Sequence, residues 1–244
     1  MDAVGIAIPD LHYNYHDPKF ISITTKLIKQ LKPDHVIQGG DALDASGISS
    51  YLKPVDKQSR LFDEVEAYNE QLDIWQSVMK KGSYFHQLEG NHSERLHRYI
   101  SKNCREIHEI IKPIPELLRL KERSKSGIKF IWHPLNNWES CQIGDVYFHH
   151  GTYFDRHIAV SNLTRYGVKF IQFHAHRFAY ASDGKIWSAC LGHGSDPKKT
   201  AHINAPNTWQ QCLGVITWNK GKGSLEPVLI SNGEGVFRGQ VIRA

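Results

Sequence analysis

Over its first hundred residues the chain repeats one pattern: an apolar strand-like run, then a helix with a single apolar face. "VGIAIPD" (4–10) reads as a buried strand and "KFISITTKLIKQL" (19–31) as an amphipathic helix stopped near Pro33. "HVIQGGD" (35–41) is a second strand. Leu61, Val65, Tyr68, Leu72, Trp75 and Met79 then recur at spacings of three and four. That places them on one face of a helix of about five turns. "SYFHQLEG" (83–90) is a third strand and "SERLHRYISKNCREIHEII" (93–111) a further helix. Strands alternating with helices predict a layered α/β structure, with helices lying over sheet faces.

The second half changes character. "GIKFIWH", "VYFHHG", "VKFIQFHAH", "IWSACLGHG" and "CLGVITWN" are strand-like, and the main helix among them is "RHIAVSNLTRY" (156–166), with Gly167 as its C-cap. This content after residue 128 predicts a second sheet. Residues 42–59 read as loop. With no repeat, low-complexity tract or linker in view, one domain is expected over 1–244, with 42–83 a helical insertion or cap within it.

At 244 residues, 40% hydrophobic and 23% charged, the composition is that of a globular domain with a real core. No apolar run approaches the roughly 18 residues of a membrane span, and the N-terminus has no signal-peptide pattern. Cys104, Cys141, Cys190 and Cys212 form no C-x-x-C pair. Their scatter argues against a cysteine-based metal site and for a reducing, cytoplasmic setting. The formal charge of +5 agrees with an anionic partner without demonstrating one.

Fifteen histidines are a more telling count, because many stand at strand ends. The first strand delivers Asp10 and His12, the second Asp41, and the third Asn91 and His92. Later runs deliver His149 and His150, then His174 and His176. In α/β folds, sites form at the carboxyl ends of strands. Taken singly, each residue has an ordinary reading: an Asx-turn for Asp10, a turn for Asn91, a helix cap for Ser93. Five such groups in chain order are harder to dismiss. Carboxylate, imidazole and amide without thiolate suit Mn²⁺, Fe, Ni²⁺ or Zn²⁺, and the ligands outnumber what one ion can use. On an extended segment Asp10 and His12 would share one face, as would His174 and His176.

"DLH" (10–12), "GD" (40–41), "GNHSE" (90–94), "HG" (150–151) and "HAH" (174–176) follow each other as D-x-H, G-D, G-N-H, H-G and H-x-H. In this the chain resembles the calcineurin-like metallophosphoesterase family over roughly residues 4–180. The resemblance implies an α/β fold of two β-sheets packed as a sandwich and flanked by helices (αββα). It implies that Asp10, His12 and His176 hold one divalent ion, that Asn91, His150 and His174 hold a second, and that Asp41 bridges them. Mn²⁺ is the expected metal, with Fe, Ni²⁺ or Zn²⁺ as alternatives. His92 resembles the substrate-facing histidine, which contacts the phosphoryl group and protonates the leaving oxygen. The implied activity is hydrolysis of phosphate mono- or diesters by a metal-bridging hydroxide. One departure is Phe173, where the family has glycine before H-x-H. His193, in "GHG", matches no family position and is the best candidate for an additional site residue.

The expected partner is a phosphorylated small molecule, a nucleotide or a nucleic acid, and not a membrane. Arg95, Arg98 and Arg156 follow ligand stretches and could meet an anion, or simply face solvent. Tyr13, Tyr15, Tyr153 and Phe154 could stack on bases. Three other readings stay open: a nuclease acting on DNA or RNA, a catalytically silent metal-binding module of the same fold, and a protein in which the ions only tie strand ends together.

Overall fold

β1 (Ala3–Ile8) presents two different faces. Ile6 and Ile8 pack among the apolar residues of the covering helices, while Ala3 and Ala7 belong to a separate core on the opposite face. Gly5 shares that second face, where an added Cβ would come within 2.8 Å of the Trp218 ring. Small residues on one side of the strand thus make room for a large one from across the core. The computed structural model describes residues 2–50, 59–199 and 208–244.

β1, β2 (His35–Gln38), β3 (Tyr84–Leu88) and β4 (Lys129–His133) pair in parallel. α1 (Pro18–Leu31) joins the first two strands and α2 (Leu61–Val78) the next two. α1 starts where Asp17 accepts the Lys19 N–H at 2.9 Å and Pro18 occupies its first turn. The Tyr68, Leu72 and Trp75 stripe of α2 is fully buried. Of the 42–83 segment expected as an insertion or cap, residues 51–58 lie outside the described residues. Its described helix, α2, packs against α1.

α3 (Glu94–Asn103) ends earlier than the apolar pattern predicts; residues 105–110 form a separate 3₁₀ turn. Ser93 precedes α3 but makes no capping hydrogen bond with its side chain, contrary to the cap expected there. Two short helices, α4 (Ile114–Leu117) and α5 (Leu120–Arg123), lead into β4.

The second sheet holds β5 (Gln142–Ile143), β6 (Val146–His149), β7 (Lys169–Gln172), β8 (Ala179–Ser182) and β9 (Trp187–Cys190), in the order β5-β6-β7-β9-β8. α6 (Ile158–Tyr166) covers its outer face, and Gly167 ends the helix at φ 64°. The last four strands, β10 (Gln211–Asn219), β11 (Lys222–Ser231), β12 (Glu234–Phe237) and β13 (Gln240–Arg243), correct the expectation that strands after residue 128 make the second sheet. They extend the first sheet, in the order β13-β12-β11-β10-β1-β2-β3-β4. The parallel strands leave one side of β1 unpaired, and β10 fills it antiparallel over Ala3–Ala7. Strand propensity carries no information about which edge a strand will join.

Trp218 of β10 lies with Ile37, Leu88, Phe148, Ile171 and Phe173 in the core between the sheets. The layers therefore run helix, sheet, sheet, helix. Among the described residues no helix is long and apolar enough to cross a membrane.

Candidate metal centre

All but one of the polar residues singled out at strand ends lie beyond the carboxyl end of a parallel strand; His149 is the last residue of β6 itself. Asp10 and His12 follow β1, Asp41 follows β2, Asn91 and His92 follow β3, His150 follows β6, and His174 and His176 follow β7. Packing the two sheets face to face brings these five loops together.

Asp10 Oδ2 is 3.0 Å from His176 Nε2, which is 3.1 Å from His12 Nε2. Asp10, His12 and His176 thus form one convergent triad. Asp41, His150 and His174 form a second. Within it His150 Nε2 is 3.3 Å from Asp41 Oδ2 and 2.9 Å from Asn91 Oδ1. The two triads are contiguous: His174 N–H donates to Asp10 Oδ1 at 3.3 Å, and His150 Nδ1 is 3.7 Å from the same oxygen.

The backbone that aims these groups is not the extended one expected from spacing. His12, His174 and His176 have φ of 49°, 67° and 56°, and Asp41 has 45°. Each pair is brought together by a left-handed loop residue and not by alternation along a strand. Phe173, standing where a glycine was expected, is buried and packs on Gly39, where an added Cβ would lie 2.3 Å from its ring. Gly39, in the loop after β2, is the residue whose missing side chain permits this close approach.

Burial alone would raise the Asp41 carboxyl, but the imidazoles of His92 and His150 outweigh it and hold Asp41 well below the usual carboxylate range. Asp10 is governed the same way, burial raising it and His150 and His176 lowering it further. Burial lowers His150, yet Asp41 and Asp10 together push it up to about 9. His174 falls to about 4, through burial and the neighbouring His150 charge. Two buried carboxylates thus draw positive charge into the centre, and protonated imidazole supplies it here. Divalent cations fit this demand, and the oxygen and imidazole donors suit them. These clustered residues can hold divalent metal ions.

Asp44 was missed in the sequence. Its carboxylate is 3.3 Å from both His12 Nδ1 and His92 Nδ1, and its carbonyl oxygen is 2.9 Å from His92 Nδ1. A second buried aspartate three residues after Asp41, in "GGDALD", was the signal available. The His92 backbone N–H donates to Asp41 Oδ1 at 2.8 Å, and Arg95 Nη2 donates to His92 Nε2 at 2.8 Å. Arg95, Arg98, Tyr99 and Lys102 line a cleft of about 330 Å³ that opens beside Asn91.

Other expected residues lie elsewhere or do other work. His149 accepts the Gly151 N–H and donates to the Leu135 carbonyl, both within 2.9 Å, so the backbone holds it away from the centre. His193 is buried against Trp209, its ring 5.6 Å from that of His176, and forms a wall of the site. Tyr13 is buried and stacked on His16, so it cannot stack on a base, whereas Phe154 is exposed 5.9 Å from His174. Arg156 is exposed.

The fold recurs among solved structures. A single-mutant Vps29 from Entamoeba histolytica superposes with a TM-score of 0.50 at 12% identity, covering 99% of this chain and 98% of that one. The chain has the calcineurin-like phosphoesterase fold. Wild-type Vps29 from the same organism, complexed with Zn²⁺, gives 0.49 at 11% identity over 99% and 98%. Vacuolar protein sorting 29 from Cryptosporidium parvum gives 0.49 at 13% over 100% and 96%. No protein-family model matches the chain, and no curated protein sequence matches it. In this calcineurin-like fold the two triads occupy the end of the sandwich where the parallel strands of both sheets terminate.

Proposed function

We propose that the chain is a dinuclear-metal phosphoesterase, with Asp10, His12 and His176 holding one ion, Asn91, His150 and His174 the second, and Asp41 shared between them. The observation that carries the reading is the contact of the two triads across Asp10, His150 and His174, with His92 beside them. Two divalent ions, Mn²⁺ first among the candidates, would supply Lewis-acid activation of water and neutralise phosphoryl charge. Asp44 and Asp41 orient His92 from one side, and the remaining imidazole nitrogen is the group that would hold or give a proton at the leaving oxygen. Arg95, Arg98 and Lys102 line the adjoining cleft and favour an anionic ester as substrate: a phosphorylated small molecule, a nucleotide or a nucleic acid.

A second reading, a metal-binding module of the same fold without turnover, is favoured by one contact. The Arg95 guanidinium donates to His92 Nε2, the nitrogen a substrate would need. Metal content, measured with turnover of bis-p-nitrophenyl phosphate and p-nitrophenyl phosphate, separates the two. Two Mn²⁺ ions per chain and a turnover that drops about 10²–10⁴-fold in His92→Ala is the expected result. Two ions with no turnover of either ester, or of DNA and RNA, would establish the silent module.

A further inference from the structure

A second cluster of ligand-type side chains lies in the core between the sheets and shares no residue with the centre above. His35, His86 and His133 run diagonally across β2, β3 and β4. His35 Nδ1 is 3.1 Å from His86 Nε2, and His86 Nδ1 is 3.0 Å from His133 Nε2. The chain of rings ends at the Ser140 carbonyl, 2.7 Å from His133 Nδ1. The next residue is Cys141. One ligand atom from each of His86, His133 and Cys141 lies within 4.8 Å of the others, and all three residues are buried.

We infer that His86, His133 and Cys141 form a three-ligand site for one zinc ion or a metal of similar softness, the fourth tetrahedral position falling to a water. The donor set is the first argument, since two imidazoles and a thiolate are standard zinc ligands. The outer nitrogens are the second. Ser140 O accepts from His133 Nδ1, and His35 Nδ1 stands ready to accept from His86 Nε2. His86 Nδ1 and His133 Nε2, which share a hydrogen bond at 3.0 Å, would then both be free to turn lone pairs on an ion between them, the arrangement that orients metal-bound imidazoles. Tetrahedral zinc with bonds of 2.0–2.1 Å separates two nitrogens by about 3.3 Å, so the pair need open only by a few tenths of an ångström. The thiol is the third. Cys190 and Cys212, also buried, donate to the carbonyls of Phe173 and Leu213, whereas Cys141 Sγ makes no hydrogen bond among the described residues. As the ion binds, the Cys141 thiol gives its proton to water.

Position supplies a purpose. β4 is the edge of the first sheet and β5 the edge of the second, and the 134–141 connection joins them. An ion held by β3, the end of β4 and Cys141 would clip the two edges together where the chain crosses between layers. A sequence without any C-x-x-C hides such a site, because its ligands meet only when the sheets stack.

Cobalt loading of metal-free protein tests this, since a thiolate-to-cobalt charge-transfer band in the near ultraviolet cannot come from the oxygen and nitrogen donors of the dinuclear centre. We expect the band at an intensity of one thiolate-bound cobalt per chain, displaced by zinc, absent in Cys141→Ser and retained in Cys104→Ser. His86→Gln, which keeps all four cysteines, should also lose it, and guards against a Cys141 variant that folds poorly. A wild-type spectrum without the band, or a band that survives Cys141→Ser, overturns the site and leaves the rings as a hydrogen-bonded chain of neutral imidazoles. Neither outcome depends on whether the dinuclear centre turns over an ester.

Discussion

Gly90 sets how closely the loop after β3 can approach the loop after β2. A Cβ there would lie 2.1 Å from Asp41 Oδ1 and 2.3 Å from the Asp41 backbone nitrogen. Gly40 does the same for His150, whose Nδ1 would meet an added Cβ at 2.5 Å, and its φ of 96° is itself a glycine conformation. Gly90→Ala should therefore displace the Asp41 carboxylate and backbone, and no flexible side-chain end is available to yield. We expect bound Mn²⁺ to fall below two ions per chain by elemental analysis while the circular dichroism spectrum stays native; two Mn²⁺ ions in this variant would contradict the packing. At this scale the identities of the ligand-type residues were legible, because each ends an apolar run. Their backbone was not. Positive φ at His12, Asp41, His174 and His176 belongs to loops that brace one another, the His12 N–H donating to the Asp41 carbonyl and the His174 N–H to Asp10.

At the scale of elements, α2 does more than cover the sheet. Glu64 in its first turn is buried, accepts the Ala45 N–H at 2.7 Å and also binds the Ser59 hydroxyl, which ties the loop carrying Asp44 to the helix. Burial raises the Glu64 carboxyl to about 7 from its ordinary 4.5, against the lowering effect of Ser59 and Ala45. The folded state therefore keeps a proton that the unfolded chain has released. The contribution is present in full below about pH 4.5 and is lost as pH rises to about 7, a change on the order of 3 kcal/mol. Urea midpoints of wild type and Glu64→Gln should accordingly diverge between these limits, the variant gaining relative stability as pH rises. Parallel curves would show that Glu64 is ionised throughout. Helices α1 and α2 were legible because their apolar residues follow the helical period. The early end of α3 was not, since the apolar pattern carries on into a 3₁₀ turn.

For the whole molecule, the sandwich gathers Asp10, Asp41 and Asp44 at one end, all buried. Cations that bind only the folded arrangement must stabilise it by mass action, about 2.7 kcal/mol at a concentration one hundred times the dissociation constant. The thermal midpoint of metal-free protein should rise with added Mn²⁺, and Asp41→Asn should remove most of that rise. A midpoint indifferent to Mn²⁺ in wild type would count against both the phosphoesterase and the silent module.

By itself the sequence determined the alternation of strands and helices, the layered α/β class and the residue types at each strand end, because hydrophobic period and terminal polarity are local properties. It did not determine that β10–β13 would return to the first sheet, that Phe173 would press on Gly39, that Asp44 would stand behind His92, or that Cys141 would meet two histidines. Those are contacts between segments far apart in the chain, decided only when the two sheets pack and each loop finds the space left by another.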